Sequence, residues 1–154
     1  MITNMGQKQG DLGRNSENLL ADFFQQNRYW ALIIPRGVGG QPFDIIARYK
    51  NKEIGLDDVW FVDSKHLEEK KVSFDFNRIE PNQISSMEYA KYFCGIDEQM
   101  GFVVHWERDN NFYYFSFDDY LKISDTGRKS IKIEEMQNFT ELIMEKLNVY
   151  KDNK

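Results

Sequence analysis

The sequence has one cysteine, Cys94, in 154 residues. That excludes an internal disulfide and fits a reducing compartment. Only two histidines are present, His66 and His105, so no Cys/His cluster exists that would hold zinc. No apolar run is long enough to span a bilayer, and Met1 to Gly13 is polar, without the apolar core of a signal peptide. The expected location is the cytoplasm. Internal repeats and low-complexity segments are missing, and no second domain can be drawn. Basic residues are in deficit: 20 Lys and Arg stand against 25 Asp and Glu, a net charge of −5. That weighs against a nucleic-acid binder, which normally carries a basic footprint. The deficit is uneven. Residues 1–56 hold seven bases (Lys8, Arg14, Arg28, Arg36, Arg48, Lys50, Lys52) and five acids (Asp11, Glu17, Asp22, Asp44, Glu53), which leaves −7 for the remainder. Phosphate is therefore expected to meet the N-terminal third, with the C-terminal acids facing solvent.

What is present is a well-stocked core. The chain is 41% hydrophobic and 15% aromatic, enough for one folded domain. The expected boundaries are a flexible N-terminus over 1–12, a single domain over 13–149 and a frayed tail over 150–154.

Asn15 or Ser16 can cap a helix running to about Asn27, with Leu19, Leu20, Phe23 and Phe24 as its apolar residues. Glu17 lies on the same stripe as Leu20 and Phe24; it either suits the helix's positive end or aims a carboxylate inward. A strand over Tyr29–Pro35 ends in Arg36-Gly37-Val38-Gly39-Gly40, a plain turn or a loop whose backbone can approach a phosphate closely. A strand from Asp44 to Arg48 and a polar turn over Tyr49–Asp58 lead to a strand over Val59–Lys65. Alternation there places Asp63 and Lys65 on one face, with apolar residues on both faces, as in a central strand. A charged pair at the end of such a strand is costly to desolvate unless something compensates it.

Val72–Arg78 is loosely strand-like. Pro81 opens a helix to Cys94, stopped by Gly95. Its inner stripe is Gln83, Met87, Ala90 and Cys94, headed by an amide that either caps the helix or serves a site. Gly101–Trp106 and Phe112–Phe117 form an aromatic hairpin, in which His105 is structural; His66 is structural or on the surface. A short helical turn over Asp118–Ile123, a loop over Thr126–Lys129 and a closing helix over Glu134–Val149 complete the chain. The order α-β-β-β-α-β-β-α predicts an α/β fold, a single mixed sheet flanked by helices.

Glu17 on an inner helix stripe, Asp44 and Asp63 on neighbouring strands, Lys65 beside Asp63, and Gln83 at the head of the next inner stripe form a set. It suits metal-assisted phosphodiester hydrolysis: oxygen ligands for Mg²⁺, and a lysine to orient water or neutralise charge at phosphorus.

Pro42-Phe43-Asp44 followed by Asp63-Ser64-Lys65 resembles the signature of the PD-(D/E)XK nucleases, with one residue inserted in the first half. Within that superfamily the chain resembles Holliday-junction resolvases. Gly13-Arg14…Glu17, Arg36 with its glycine loop, and Asp44-Ile45-Ile46-Ala47 look like the archaeal type. Lys71-Val72-Ser73-Phe74, Asn82-Gln83-Ile84, Gly101-Phe102-Val103-Val104 and Tyr113-Tyr114-Phe115-Ser116-Phe117 look like the RecU type. The resemblance implies a restriction-endonuclease-like core and an endodeoxyribonuclease acting on branched DNA in recombination, repair or phage DNA processing. It implies metal ligation by Asp44 and Asp63, with Glu17 a direct or water-mediated ligand, and Mg²⁺ as cofactor with Mn²⁺ as a substitute. Lys65 would act on the nucleophile and Gln83 would support the site. Arg14, Arg36, Gly37, Gly39 and Gly40 would touch DNA, and the protein would be a homodimer. Asp63 stands where glutamate is more frequent, and the basic arm and stalk insertion of RecU proteins are not matched. Two alternatives follow from these departures: another DNA nuclease of this superfamily, of restriction or repair type, or a catalytically inactive DNA- or protein-binding member.

Overall fold

The computed structural model describes residues 5–35, 43–95 and 99–152. Helix α1 (Met5–Gln26) precedes β1 (Trp30–Ile33), β2 (Ile45–Asn51), β3 (Leu56–Leu67) and β4 (Ser73–Asp75). After α2 (Pro81–Cys94) come β5 (Met100–Trp106), β6 (Asn111–Ser116), α3 (Phe117–Asp125), β7 (Ser130–Lys132), β8 (Gln137–Asn138) and α4 (Phe139–Asp152). Six strands form one mixed sheet in the order β1-β2-β3-β5-β6-β8, and β4 and β7 form a separate two-stranded ribbon. Among the described residues only β3 and β5 pair in parallel, Asp63 opposite Phe102 and Lys65 opposite Val104. A parallel pair needs a crossover, and α2 lies within it.

Alternation along the central strands divides the apolar residues between two cores. Trp60, Val62 and Val103 join Leu20 and Phe24 of α1 and Phe139 and Ile143 of α4 on one face. Phe139 meets Trp60 nearly edge-on at 5.0 Å and Phe24 at 5.6 Å. On the other face Met100, Phe102, Val104 and Phe115 pack with Met87 and Ala90 of α2, Phe117 and Tyr120 of α3, and Phe74 and Ile131 of the ribbon. No helix among the described residues is long and apolar enough to cross a membrane.

Several expectations are corrected. The first helix starts at Met5, not at a cap on Asn15 or Ser16: Gly10 and Gly13 lower helix propensity without removing a backbone donor as proline would. Leu19 is exposed and Phe23 only partly buried. The turn expected over Tyr49–Asp58 shrinks to the tip of a hairpin, because β2 and β3 stay paired from Ile45 opposite Val62 to Asn51 opposite Leu56. The closing helix begins at Phe139. Ile133–Glu135 form a 3₁₀ turn and Gln137–Asn138 a short strand before it, and the Asn138 side chain accepts from the Glu141 backbone N–H at 3.1 Å, the cap that sets the start. Cys94, expected on the inner stripe of α2, is exposed.

Candidate functional site

The site grows from the parallel seam. Asp44 stands one residue before β2. Its backbone N–H donates to the Val62 carbonyl at 3.0 Å and its carbonyl accepts from Ile34 at 2.8 Å. Its carboxylate accepts from the Ser64 backbone N–H at 2.9 Å, so β3 orients the side chain that β2 delivers. Asp63 is 1% exposed. Neither of its oxygens accepts a hydrogen bond of ordinary geometry, though the Lys65 ammonium lies 2.8 Å from Oδ2. Burial pushes the Asp63 carboxyl well above the usual range; the neighbouring Asp44 carboxyl adds to the rise, and Lys65 opposes it.

Lys65 is held from three sides. Besides Asp63, its Nζ donates to Gln83 Oε1 at 3.3 Å and to the Arg78 carbonyl at 3.3 Å. The same Gln83 oxygen accepts from the Glu80 backbone N–H at 3.2 Å. Gln83 therefore caps α2 and also holds Lys65.

Asp44, Asp63, Lys65 and Gln83 thus meet at one place. Glu17 lies half-buried on α1. Among the described residues no three His, Cys, Asp or Glu side chains group to hold a metal ion, so Glu17 does not complete a direct three-acid set with Asp44 and Asp63. Arg14 lies in α1, and its side chain falls outside the described residues, as do Arg36, Gly37, Gly39 and Gly40. Asp44 beside a buried Asp63 with unsatisfied oxygens fits a hard divalent cation; the cation would compensate the desolvation that Lys65 alone does not offset.

Sequence reasoning missed two groups. Ser16 and Glu107 flank His66: His66 Nδ1 lies 3.5 Å from Ser16 Oγ and Nε2 lies 3.1 Å from Glu107 Oε2. His66 also faces His105, its partner across the seam, at 5.8 Å between rings. These contacts tie the α1 segment that carries Glu17 to the ends of β3 and β5. The second is Asp58, a buried acid that accepts from Tyr29 Oη at 2.5 Å, Trp60 Nε1 at 2.7 Å and Lys146 Nζ at 3.1 Å. Desolvation, with that bond to Asp58, drives the Tyr29 hydroxyl pKa far up; this network joins β3 to α4, far along the strand from Lys65. Alternating Asp57-Asp58 ahead of an apolar run was the only signal in the sequence for it.

No curated protein sequence matches the chain. Its structure is similar to D212, a nuclease from a fusselovirus, at 13% identity and a TM-score of 0.52, covering 100% of this chain and 99% of that one. It is also similar to Hjc of Archaeoglobus fulgidus, a Holliday junction resolvase, at 14% identity and a TM-score of 0.55, covering 85% and 94% respectively. At such identities the likeness establishes the fold, an α/β sheet flanked by helices. The sequence itself matches the model of the Recombination protein U family over residues 57–151, a span that takes in Asp63, Lys65 and Gln83 but not Arg14, Glu17, Arg36 or Asp44. That match covers more than half of the chain, which therefore belongs to the RecU family.

Proposed function

We propose that this protein is a Mg²⁺-dependent endodeoxyribonuclease that resolves four-way DNA junctions as a homodimer in the cytoplasm. The observation that carries the reading is the convergence of Asp44, Asp63, Lys65 and Gln83, from two strands and a helix, around one buried carboxylate whose oxygens accept no hydrogen bond of ordinary geometry. Asp44 and Asp63 would hold Mg²⁺, or Mn²⁺ in its place, which would supply Lewis-acid polarisation of the scissile phosphate and lower the pKa of a water. Ser64's N–H fixes the Asp44 carboxylate for that ion. Lys65 holds positive charge where negative charge develops at phosphorus and helps orient the attacking water. Gln83 and the Arg78 carbonyl keep the ammonium in place, which preserves near-attack geometry. Glu17 acts on the ion through water, and Arg14, Arg36 and the glycines 37, 39 and 40 meet phosphates.

Support for the dimer comes from exposed aromatics. Tyr89, Tyr92 and Phe93 on α2 are 61%, 68% and 77% exposed, and the Tyr89 and Phe93 rings stack at 5.1 Å. Strand register places exposed Trp30 and Leu32 on the same side of the sheet as α2. Exposed apolar surface of this kind marks an interface, and a two-fold dimer presents two sites to a symmetric junction. The aromatic hairpin β5–β6 does not serve this purpose: Phe102, Phe115 and Phe117 are buried.

Incubation with labelled four-way junction and linear duplex, with Mg²⁺ or EDTA, tests the reading. Paired Mg²⁺-dependent cuts in the junction alone are expected, abolished by Asp44→Ala or Lys65→Ala with binding retained. Cleavage of linear duplex as fast as junction would make it a nuclease of restriction or repair type. Binding without any cut would make it a non-catalytic member, the reading that the net charge of −5 favours.

A further inference from the structure

A cavity of about 640 Å³ opens beside the ends of β5 and β6, walled by Trp106, Tyr113 and Met136 and rimmed by Lys132, Glu134, Asn138 and Glu141. Its volume lies in the range that takes a small ligand, about 300–1,000 Å³. Its aromatic wall is fixed before anything binds. Trp106 Nε1 donates to the Lys71 carbonyl at 2.8 Å, the Arg108 guanidinium sits 4.8 Å over the indole, and Tyr113 meets it edge-on at 6.0 Å. A planar ring stacking there orders little that is not already ordered.

The rim selects among planar rings. Asn138 spends its oxygen on the Glu141 N–H and keeps two amide donors. Glu134 and Glu141 offer acceptors, and the one ammonium, on Lys132, lies 3.9 Å from Glu134. Two carboxylates against one ammonium disfavour a phosphate and favour a neutral ring bearing N–H donors. Strand register also fixes the place. Leu67 pairs with Trp106 and Val104 with Tyr113, so both rings lie on the sheet face that carries Asp63 and Lys65. Two residues of strand rise and one inter-strand step put the Trp106 Cα roughly 8 Å from that of Lys65.

We propose that this cavity binds a planar, amino-bearing heterocycle of the nucleobase class. The base comes from an unpaired nucleotide near the cleaved strand or from a free nucleoside; the first source rests on the nuclease reading, the second does not. Saturation-transfer NMR on the whole chain in EDTA, where no cleavage occurs, is the test. Adenosine and cytidine are expected to bind several-fold more tightly than thymidine, since only they offer an exocyclic amino group to the Glu134 and Glu141 carboxylates. Trp106→Ala should abolish binding, and Glu141→Gln, at an exposed position, should remove the preference without unfolding the protein. An oligonucleotide with an unpaired 2-aminopurine then identifies the source. Quenching by the wild type but not by Trp106→Ala assigns the base to DNA; nucleoside binding without quenching assigns a free nucleoside. Thymidine or tyrosine amide binding as tightly as adenosine, or no binding by any probe, overturns the proposal. Nucleoside binding by a protein that never cuts DNA would remove the nuclease reading and leave the cavity assignment standing.

Discussion

Asp63 pays for its position in stability. A carboxylate sealed from water with one lysine for company destabilises the fold it sits in. Asp63→Asn is therefore expected to stabilise the metal-free protein by about 1–3 kcal/mol, read as a rise in urea midpoint at neutral pH. Millimolar Mg²⁺ should raise the melting temperature of the wild type and leave the variant unmoved. Equal melting temperatures in EDTA would show that Asp63 carries no such cost. Asp63 and Lys65 were legible in the sequence because a charged pair on a two-sided apolar strand is conspicuous. Gln83 was legible as a cap or a site residue but not as both at once; that needed the distance to Lys65. The roles of the Ser64 N–H and the Arg78 carbonyl were not legible at all, since every residue carries those groups and only the chain path aims them.

Among the elements, α2 was read from the sequence to its ends, since Pro81 and Gly95 punctuate it chemically. Gly95 adopts φ +68°, where a side chain is strained. The strands β7 and β8 went unread and β4 was drawn only loosely within Val72–Arg78, because pieces of two or three residues carry no periodicity. Close approach of β5 to β6 is fixed at Gly101: a Cβ there would stand 2.4 Å from the Phe115 carbonyl oxygen and 2.8 Å from the Ser116 Cα. Both neighbours are backbone, so Gly101→Ala must part the strands, and a loss of about 2–4 kcal/mol in denaturant unfolding is expected. The β7 connection has its own clamp. Arg128 donates to Glu135 through Nη1 at 2.8 Å and through Nη2 at 2.5 Å. That pairing, with the Lys132 N–H, holds the Glu135 carboxyl down at about 2, against an ordinary 4.5. A lowered pKa contributes stability above the unfolded value that is lost as pH falls. The melting-temperature gap between wild type and Glu135→Gln should thus be present at pH 6 and close between about pH 4.5 and pH 2; a gap independent of pH would assign the clamp no charge character.

Over the whole molecule, charge and apolar surface divide the labour. A chain of net charge −5 repels DNA except where local basic residues and a bound cation reverse the field. In the proposed dimer the exposed rings of α2 have a different task, holding two copies together. Phe93→Glu is expected to shift the protein from dimer to monomer in sedimentation-velocity runs while far-UV circular dichroism stays unchanged; a dimer that survives places the interface elsewhere. The mixed sheet with helices on both faces was legible from the alternation of patterns along the chain. The exposed rings of α2 were not, because the sequence marked only the inner stripe of that helix, of which Met87 and Ala90 are buried.

The lone parallel seam between β3 and β5 also sets a timetable. Antiparallel β1, β2 and β3 can pair as soon as they are made, since only residues 34–44 separate β1 from β2 and only residues 52–55 separate β2 from β3. Their joining to β5 must wait for the whole crossover, a closure of high contact order and so a slow one. During synthesis Asp63 and Lys65 exist before the helix that supplies Gln83 and before the strand that seals them. A half-made chain therefore carries Asp63 and Lys65 without the geometry that surrounds them in the finished sheet, and the proposed cleavage becomes possible only when the ribosome has released the second half of that sheet.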